Sequence, residues 1–123
     1  MKYTLLMIDD DEDIRFILTS ALSSIVGLTI VEAVDATSAR NALQSQTING
    51  ILLDYSLPDT NGEELLREFK GSDSTQQLDI VMLTARDDQE QIKKWLDLGA
   101  KAVLKKPFNP FELIAQLQVH FGF

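Results

Sequence analysis

The feature that most constrains this fold is a fivefold alternation of short apolar runs and helix-forming patterns along 123 residues. The apolar runs predict β-strands at residues 3–8, 29–33, 50–54, 79–84 and 102–105. Strands that alternate with helices form βαβ units with right-handed crossovers, and the resulting parallel sheet is covered by helices on both faces. Because no linker, repeat or low-complexity segment interrupts the alternation, the sequence predicts one α/β domain over residues 1–123.

The segments between the strands have the periodicity and end signals of helices. The first helix is predicted to continue as far as Gly27. Its inward stripe comprises Ile14, Ile17, Leu18, Ala21, Leu22 and Ile25. Asp35 or Thr37 is expected to cap the second helix, and residues 62–70 and 89–98 are expected to form the third and fourth. The last helix should begin at Asn109, because asparagine followed by proline is a typical helix start.

The composition excludes several classes of function. The net charge is −8, from 19 acidic and 11 basic residues, so the chain would repel a phosphate backbone and is not expected to bind nucleic acid. With no cysteine it can form no disulfide, thiolate metal site or cysteine nucleophile, which fits a cytoplasmic location. The apolar stretch at residues 3–8 is too short for a signal peptide or a membrane span, so no membrane partner is expected.

Polar side chains stand at or just after the carboxyl ends of four predicted strands. They are Asp9, Asp10, Asp54, Thr84 and Lys106. In a doubly wound sheet these strand ends share one edge, and the strands that carry Asp9 and Asp54 would flank the point where the strand order reverses. The sequence therefore predicts that five residues from distant parts of the chain converge on one pocket.

Three carboxylates in one pocket require a compensating cation. Two carboxylates about 4 Å apart repel by roughly 1 kcal/mol in water and by about 4 kcal/mol at an effective dielectric near 20. Oxygen ligands of this kind suit a hard ion such as Mg²⁺. Lys106 can neutralise part of the charge, although its place after the fifth strand predicts that it lies on the far side of Asp54 from the other acids.

The acidic run after the first strand also has structural explanations. Asp11 and Asp13 fit a helix cap better than a metal ligand, and Asp9 and Asp10 taken alone fit either role. The spacing of Asp9, Asp11 and Asp13 begins like a calcium-binding EF-hand loop. Ile14 stands where that loop requires glycine, and its twelfth position is not glutamate, so a calcium loop is excluded.

Several short motifs occur at defined positions along the chain. An acidic pair follows the first strand, an aspartate ends the third, and a threonine and a lysine mark the ends of the fourth and fifth. The residues are Asp9-Asp10, Leu53-Asp54 with Pro58 and Asn61-Gly62, Thr84-Ala85, Gly99-Ala100 and Lys106-Pro107-Phe108. In this order and spacing, over residues 3–121, the chain resembles the receiver domains of response regulators in two-component signalling.

The resemblance implies a flavodoxin-like fold with a doubly wound parallel sheet in the strand order 2-1-3-4-5. It implies that Asp54 accepts a phosphoryl group from a histidine kinase or a histidine phosphotransfer protein. Lys106 would pair with the phosphoryl oxygens, Thr84 would move to hydrogen-bond one of them, and the Lys106–Pro107 bond would be cis. This chemistry is self-phosphorylation and self-dephosphorylation only, so the chain is not expected to be an enzyme.

The resemblance also implies a divalent metal. Asp10, Asp54 and the backbone carbonyl of Ser56 would bind Mg²⁺ or Mn²⁺ directly, and Asp9 would act mostly through water. Phosphoryl transfer depends more on positioning and charge neutralisation than on covalent help from the protein. An aspartate is already ionised at pH 7, so the metal and Lys106 would supply the remaining requirement, which is positive charge.

One position departs from the family pattern. Val103 stands where receiver domains usually have a tyrosine or phenylalanine that swings between buried and exposed positions. A valine has no ring to swing, so the face of the fourth helix, fifth strand and fifth helix is expected to respond through loop shifts. A phosphorylation-dependent homodimer could form on that face, and the sequence does not specify the downstream partner. Trp95, near this face, fits packing and partner contact equally.

The remaining observations concern the phosphodonor and three other functions. His120 is the only histidine and is interpreted as a surface or packing residue, so the donor would be another protein. A non-phosphorylated interaction module is one alternative, which the complete set of acceptor residues argues against. A phosphohydrolase with an aspartyl-phosphate intermediate is a second, but it normally needs an acid where Ser56 stands. An FMN-binding flavodoxin is disfavoured by the wholly acidic loop after the first strand.

Overall fold

The computed structural model describes residues 2–123, in which five strands alternate with five helices. The strands are β1 (Tyr3–Ile8), β2 (Leu28–Ala33), β3 (Gly50–Asp54), β4 (Asp79–Thr84) and β5 (Ala102–Lys105). The helices are α1 (Glu12–Leu22), α2 (Ala36–Ser45), α3 (Gly62–Lys70), α4 (Gln89–Asp97) and α5 (Pro110–Phe121). The predicted bounds of four strands are confirmed, and β2 begins one residue before its predicted start.

All five strands pair in parallel, in the order β2-β1-β3-β4-β5. At the centre, Ile8 of β1 lies opposite Leu53 of β3, and Asp54 lies opposite Leu83 of β4. The predicted flavodoxin-like, doubly wound sheet is therefore confirmed. Because the strands are parallel, the carboxyl ends of β1, β3, β4 and β5 share one edge, and the order reverses between β1 and β3.

The core consists of one apolar layer on each face of the sheet. One layer lies between the sheet and α2, α3 and α4, and the other lies between the sheet and α1 and α5. In β3, Ile51 and Leu53 point into the first layer and Leu52 into the second, as the alternation of side chains along a strand requires. All five residues of β3 are buried, which fixes the position of Asp54 at its end.

The first helix is shorter than predicted. α1 ends at Leu22, well before Gly27, because the chain turns there and a serine hydroxyl bonds back to a carbonyl of the last helical turn. Ile25 consequently lies outside the helix, although it still packs against the second apolar layer. Ile17 was expected to be buried but is 42% exposed, since Leu18 and Leu22 already cover the sheet on this side.

The helix starts follow the predicted capping chemistry with one exception. Asp11 caps α1, and its carboxylate accepts a hydrogen bond from the amide of Asp13 at 2.9 Å. Asp13 was also expected to be a cap, but it lies inside the first turn of the helix. Asp35, and not Thr37, caps α2, while the predicted cap of α5 at Asn109 is confirmed.

Candidate functional site

Three acidic side chains meet at the carboxyl edge of the sheet. Asp54, the last residue of β3, is 5% exposed, and Asp9, which directly follows β1, is 2% exposed. Asp10 stands beside them but is open to solvent. One carboxylate oxygen from each of the three lies within 4.8 Å of the others. The structure thus brings Asp54 together with two adjacent acids that lie more than forty residues earlier in the chain.

Lys106 lies between the two buried acids. Its Nζ is 3.2 Å from Oδ1 of Asp54 and 3.2 Å from Oδ2 of Asp9. The prediction that Lys106 stays on the far side of Asp54 is therefore wrong. The flexible four-carbon side chain extends across the end of β4 and reaches both acids, which the order of the strands alone did not indicate. The Lys106–Pro107 peptide bond is cis, as predicted.

The donor set fits a hard divalent cation. Carboxylate oxygens are the ligands that Mg²⁺ and Mn²⁺ prefer, and Mg²⁺ keeps several waters when it binds to protein. Both oxygens of Asp9 already have partners, because Oδ1 accepts from the amide of Asp11 at 2.9 Å and Oδ2 faces Lys106. Asp10 and Asp54 are therefore better placed as direct ligands, and the exposed side of Asp10 would leave room for water.

The crowding of charge changes the pKa values of the buried groups. Burial, followed by the charge of Asp9, raises the pKa of Asp54 to about 6, although Lys106 and the amide of Ser56 act in the opposite direction. Burial alone would lower the pKa of Lys106, but the charges of Asp54 and Asp9 outweigh it and raise that pKa. Without a metal, Asp54 is therefore ionised at neutral pH although its surroundings disfavour the charged form.

The other two predicted site residues also lie at this edge. Thr84 ends β4 and is 1% exposed, and its Oγ1 accepts a hydrogen bond from the amide of Arg86 at 3.0 Å. A hydroxyl that accepts this bond still has its own proton to donate. Ser56 is exposed at the start of the loop between β3 and α3, where it forms a backbone bridge with Asn61. Thr84 is thus the last residue of β4, and Ser56 is two residues after Asp54 at the end of β3.

Trp95 is a packing residue, and the alternative of a partner contact is wrong. Its side chain is 0% exposed, and its indole Nε1 donates to Oε1 of Glu63 at 2.8 Å. Its ring stacks on Tyr55, with 5.2 Å between the ring centroids, and the guanidinium of Arg86 lies 4.8 Å from the centroid of Tyr55. This cluster connects α4 to the residue after Asp54, and no local sequence pattern indicates it.

Two further residues singled out from the sequence lie away from the acids. Val103 is half-buried in β5 and packs against the apolar layer beneath α2, α3 and α4. His120 is half-buried in the last turn of α5, at the opposite end of that helix from Lys106. Its position agrees with its interpretation as a surface or packing residue.

Comparison with known proteins identifies the family. The model of the response regulator receiver domain matches residues 5–118. The chain belongs to this family. Its relatives include the phosphate regulon transcriptional regulatory protein PhoB of Pseudomonas aeruginosa, 36% identical over 115 residues, which are 94% of this chain and 50% of the relative. PhoB of Escherichia coli is 35% identical over 118 residues, which are 96% of this chain and 51% of the relative.

The receiver domain also has close structural neighbours. The chemotaxis response regulator CheY4 of Vibrio cholerae superposes with a TM-score of 0.87 and 27% identity, and the match covers 97% of this chain and 98% of that one. The chain spans about half the length of the curated relatives it matches. Within residues 2–123, no helix is both long enough and apolar enough to cross a bilayer.

We expect Asp54→Asn to stabilise the metal-free receiver domain at neutral pH. Because the pKa of Asp54 is raised to about 6, the folded state between roughly pH 4 and 6 holds a proton that the unfolded state has lost, and stability falls as pH rises through this window. A shift of this size corresponds to at most about 3 kcal/mol, so we expect a gain of about 1–3 kcal/mol at pH 7. Urea unfolding of both proteins in the presence of a metal chelator measures this difference in the free energy of unfolding.

The pH and metal dependence provide the controls for this prediction. Below about pH 4 the difference between the two proteins should largely vanish, because Asp54 is then protonated in both the folded and the unfolded state. Added Mg²⁺ should stabilise the wild type and leave Asp54→Asn nearly unchanged, since a ligand stabilises the state that binds it. Equal stability of the two proteins at pH 7 in chelator would contradict the prediction, because Lys106 would then neutralise Asp54 fully.

Proposed function

We propose that this receiver domain accepts a phosphoryl group on Asp54, in a Mg²⁺-dependent reaction, from a histidine kinase or a histidine phosphotransfer protein. The observation that carries the proposal is the arrangement around Asp54: a buried carboxylate with two further acids within 4.8 Å and the Lys106 ammonium at 3.2 Å. An anionic nucleophile, a hard-ion ligand set and a fixed cation are the parts that phosphoryl transfer to a carboxylate requires.

Each residue of the site has a role in the transfer. An oxygen of Asp54 attacks the phosphorus of a phosphohistidine, the P–N bond breaks, and the imidazole of the donor leaves and takes up a proton. Asp10, Asp54 and the carbonyl of Ser56 would hold the cation, which supplies charge neutralisation to the phosphoryl oxygens when bound. Lys106, already oriented by both buried acids, pairs with another phosphoryl oxygen as the phosphoryl group moves onto Asp54.

The output is proposed to pass through Thr84 and the face of α4, β5 and α5. A phosphoryl group on Asp54 attracts the Thr84 hydroxyl, and movement of this side chain towards it would change the bond from the Arg86 amide. Arg86 also covers the ring of Tyr55, which stacks on Trp95 of α4. These contacts support a route from Thr84 to α4 that does not depend on an aromatic ring at Val103.

A small phosphodonor such as acetyl phosphate, with and without Mg²⁺, tests the proposed function. Intact mass spectrometry should show the addition of one phosphoryl group per chain when Mg²⁺ is present and almost none in chelator. Absence of any mass gain, together with no Mg²⁺ binding by calorimetry, would favour an interaction module that is not phosphorylated. Release of many equivalents of phosphate from an organic phosphate would instead favour the phosphohydrolase, which Ser56 in place of a second acid argues against.

A further inference from the structure

The loop between β3 and α3 is joined to α2 by the carboxylate of Asp59. Oδ1 of Asp59 accepts a hydrogen bond from the amide of Ala36 at 3.0 Å, and Oδ2 accepts from the amide of Thr37 at 3.3 Å and from its hydroxyl at 3.4 Å. These bonds, that of the Ala36 amide above all, lower the pKa of Asp59. The carboxylate is therefore a fixed anion at the amino end of a helix about twenty residues earlier in the chain.

The base of the same loop is held by the backbone. The amide of Gly62 donates to the carbonyl of Tyr55 at 2.7 Å, and Ser56 pairs with Asn61. The chain is so close here that a Cβ on Gly62 would lie 2.6 Å from the carbonyl oxygen of Asp54. Within residues 2–123, the hydrogen bonds that join the tip of the loop, residues 57–60, to another element are those of Asp59.

We infer that Asp59 is a positioning residue for the phosphoacceptor site. By fixing the tip of the loop to α2, it holds the segment that carries the Ser56 carbonyl beside Asp54, and so it increases the affinity for the divalent cation. Residues that orient the ligands of a metal typically change its affinity by about 10–100-fold when they are replaced. The inference rests on the proposed function, because it assigns Asp59 to the same site.

A purely structural role for Asp59 would give a different result. α2 already has its own cap, Asp35, whose carboxylate accepts from the amide of Ser38 at 2.8 Å. If Asp59 served only to cap α2, loss of Asp35 would affect the metal site as much as loss of Asp59. If Asp59 positions the loop, the metal site should respond to Asp59 and not to Asp35, since Asp35 has no hydrogen bond to the loop among the described residues.

The experiment compares Asp59→Ala, Asp59→Asn and Asp35→Ala with the wild type. Calorimetry gives the Kd for Mg²⁺, and the rate of phosphoryl incorporation from acetyl phosphate is measured over a range of Mg²⁺ concentrations. We expect Asp59→Ala to raise the Kd about tenfold, with much of the rate recovered at high Mg²⁺. Asp59→Asn keeps one acceptor oxygen, so its Kd should lie between those of the wild type and Asp59→Ala. Asp35→Ala should lower the urea midpoint while changing the Kd less than about twofold.

Each possible outcome decides between these roles. Equal rises in Kd for Asp59→Ala and Asp35→Ala would overturn the inference, because Asp59 would then act through the stability of α2 alone. An unchanged Kd in both Asp59 variants would overturn it as well, while leaving the proposed function intact. Failure of the wild type to bind Mg²⁺ or accept phosphate would overturn the proposed function and the inference together. If Asp59→Ala does not fold, the Kd of Asp59→Asn decides in the same way.

Discussion

Replacing Asp54 with asparagine will abolish phosphoryl incorporation from acetyl phosphate, and replacing Lys106 with methionine will slow it about 10²–10³-fold. The amide of asparagine has no anionic oxygen to attack phosphorus. Methionine has a side chain of similar length to lysine but removes the ammonium that lies 3.2 Å from both Asp9 and Asp54. Time courses of intact mass in saturating Mg²⁺ measure both effects.

A matched control for this prediction lies in the same chain. Asp73 is an exposed acid in the segment between α3 and β4, which is at the opposite edge of the sheet from Asp54. Asp73→Asn changes the net charge by the same amount as Asp54→Asn and should incorporate phosphate at the wild-type rate. A full mass gain in Asp54→Asn would show that another residue accepts the phosphoryl group and would refute the assignment of Asp54.

Replacing Trp95 with alanine will destabilise the domain by about 3–5 kcal/mol, as is typical for truncation of a fully buried aromatic side chain. The change removes a ring that is 0% exposed, separates Tyr55 from its stacking partner and leaves Glu63 without its indole donor. Domains of this kind are stable by only about 5–15 kcal/mol, so a large fraction of the stability would be lost. Urea unfolding with one cooperative transition measures it.

Two further variants separate the contributions of Trp95. Trp95→Phe keeps an aromatic ring against Tyr55 but cannot donate to Glu63, and we expect it to cost about 1–2 kcal/mol. Leu96→Ala changes the neighbouring residue of α4, which is 43% exposed, and should cost less than about 1 kcal/mol. If Leu96→Ala and Trp95→Ala were equally destabilising, the loss would come from the helix as a whole and not from the buried cluster.

Several features of the fold could be predicted because they are encoded locally. Each strand is a short apolar run bounded by turn residues, and each helix has its own apolar stripe and capping residue. The predicted bounds of the elements therefore differ from the observed ones by a residue or two at most, except at the end of α1. The location of the acids followed from one general rule, that parallel strands place their carboxyl ends at a shared edge. The error at Ile17 shows the limit of a periodic pattern, since two neighbouring leucines already covered the sheet.

The sequence by itself determined the order of the elements, the edge at which Asp9, Asp10 and Asp54 meet, and the kind of cation that suits them. Only the tertiary structure decided that Lys106 reaches both buried acids, that Trp95 is buried against Tyr55 and Glu63, and that Asp59 is bonded to α2. The physical reason is that strands, helices and caps depend on residues close in the chain. Contacts between side chains about twenty to a hundred residues apart depend on how those elements pack.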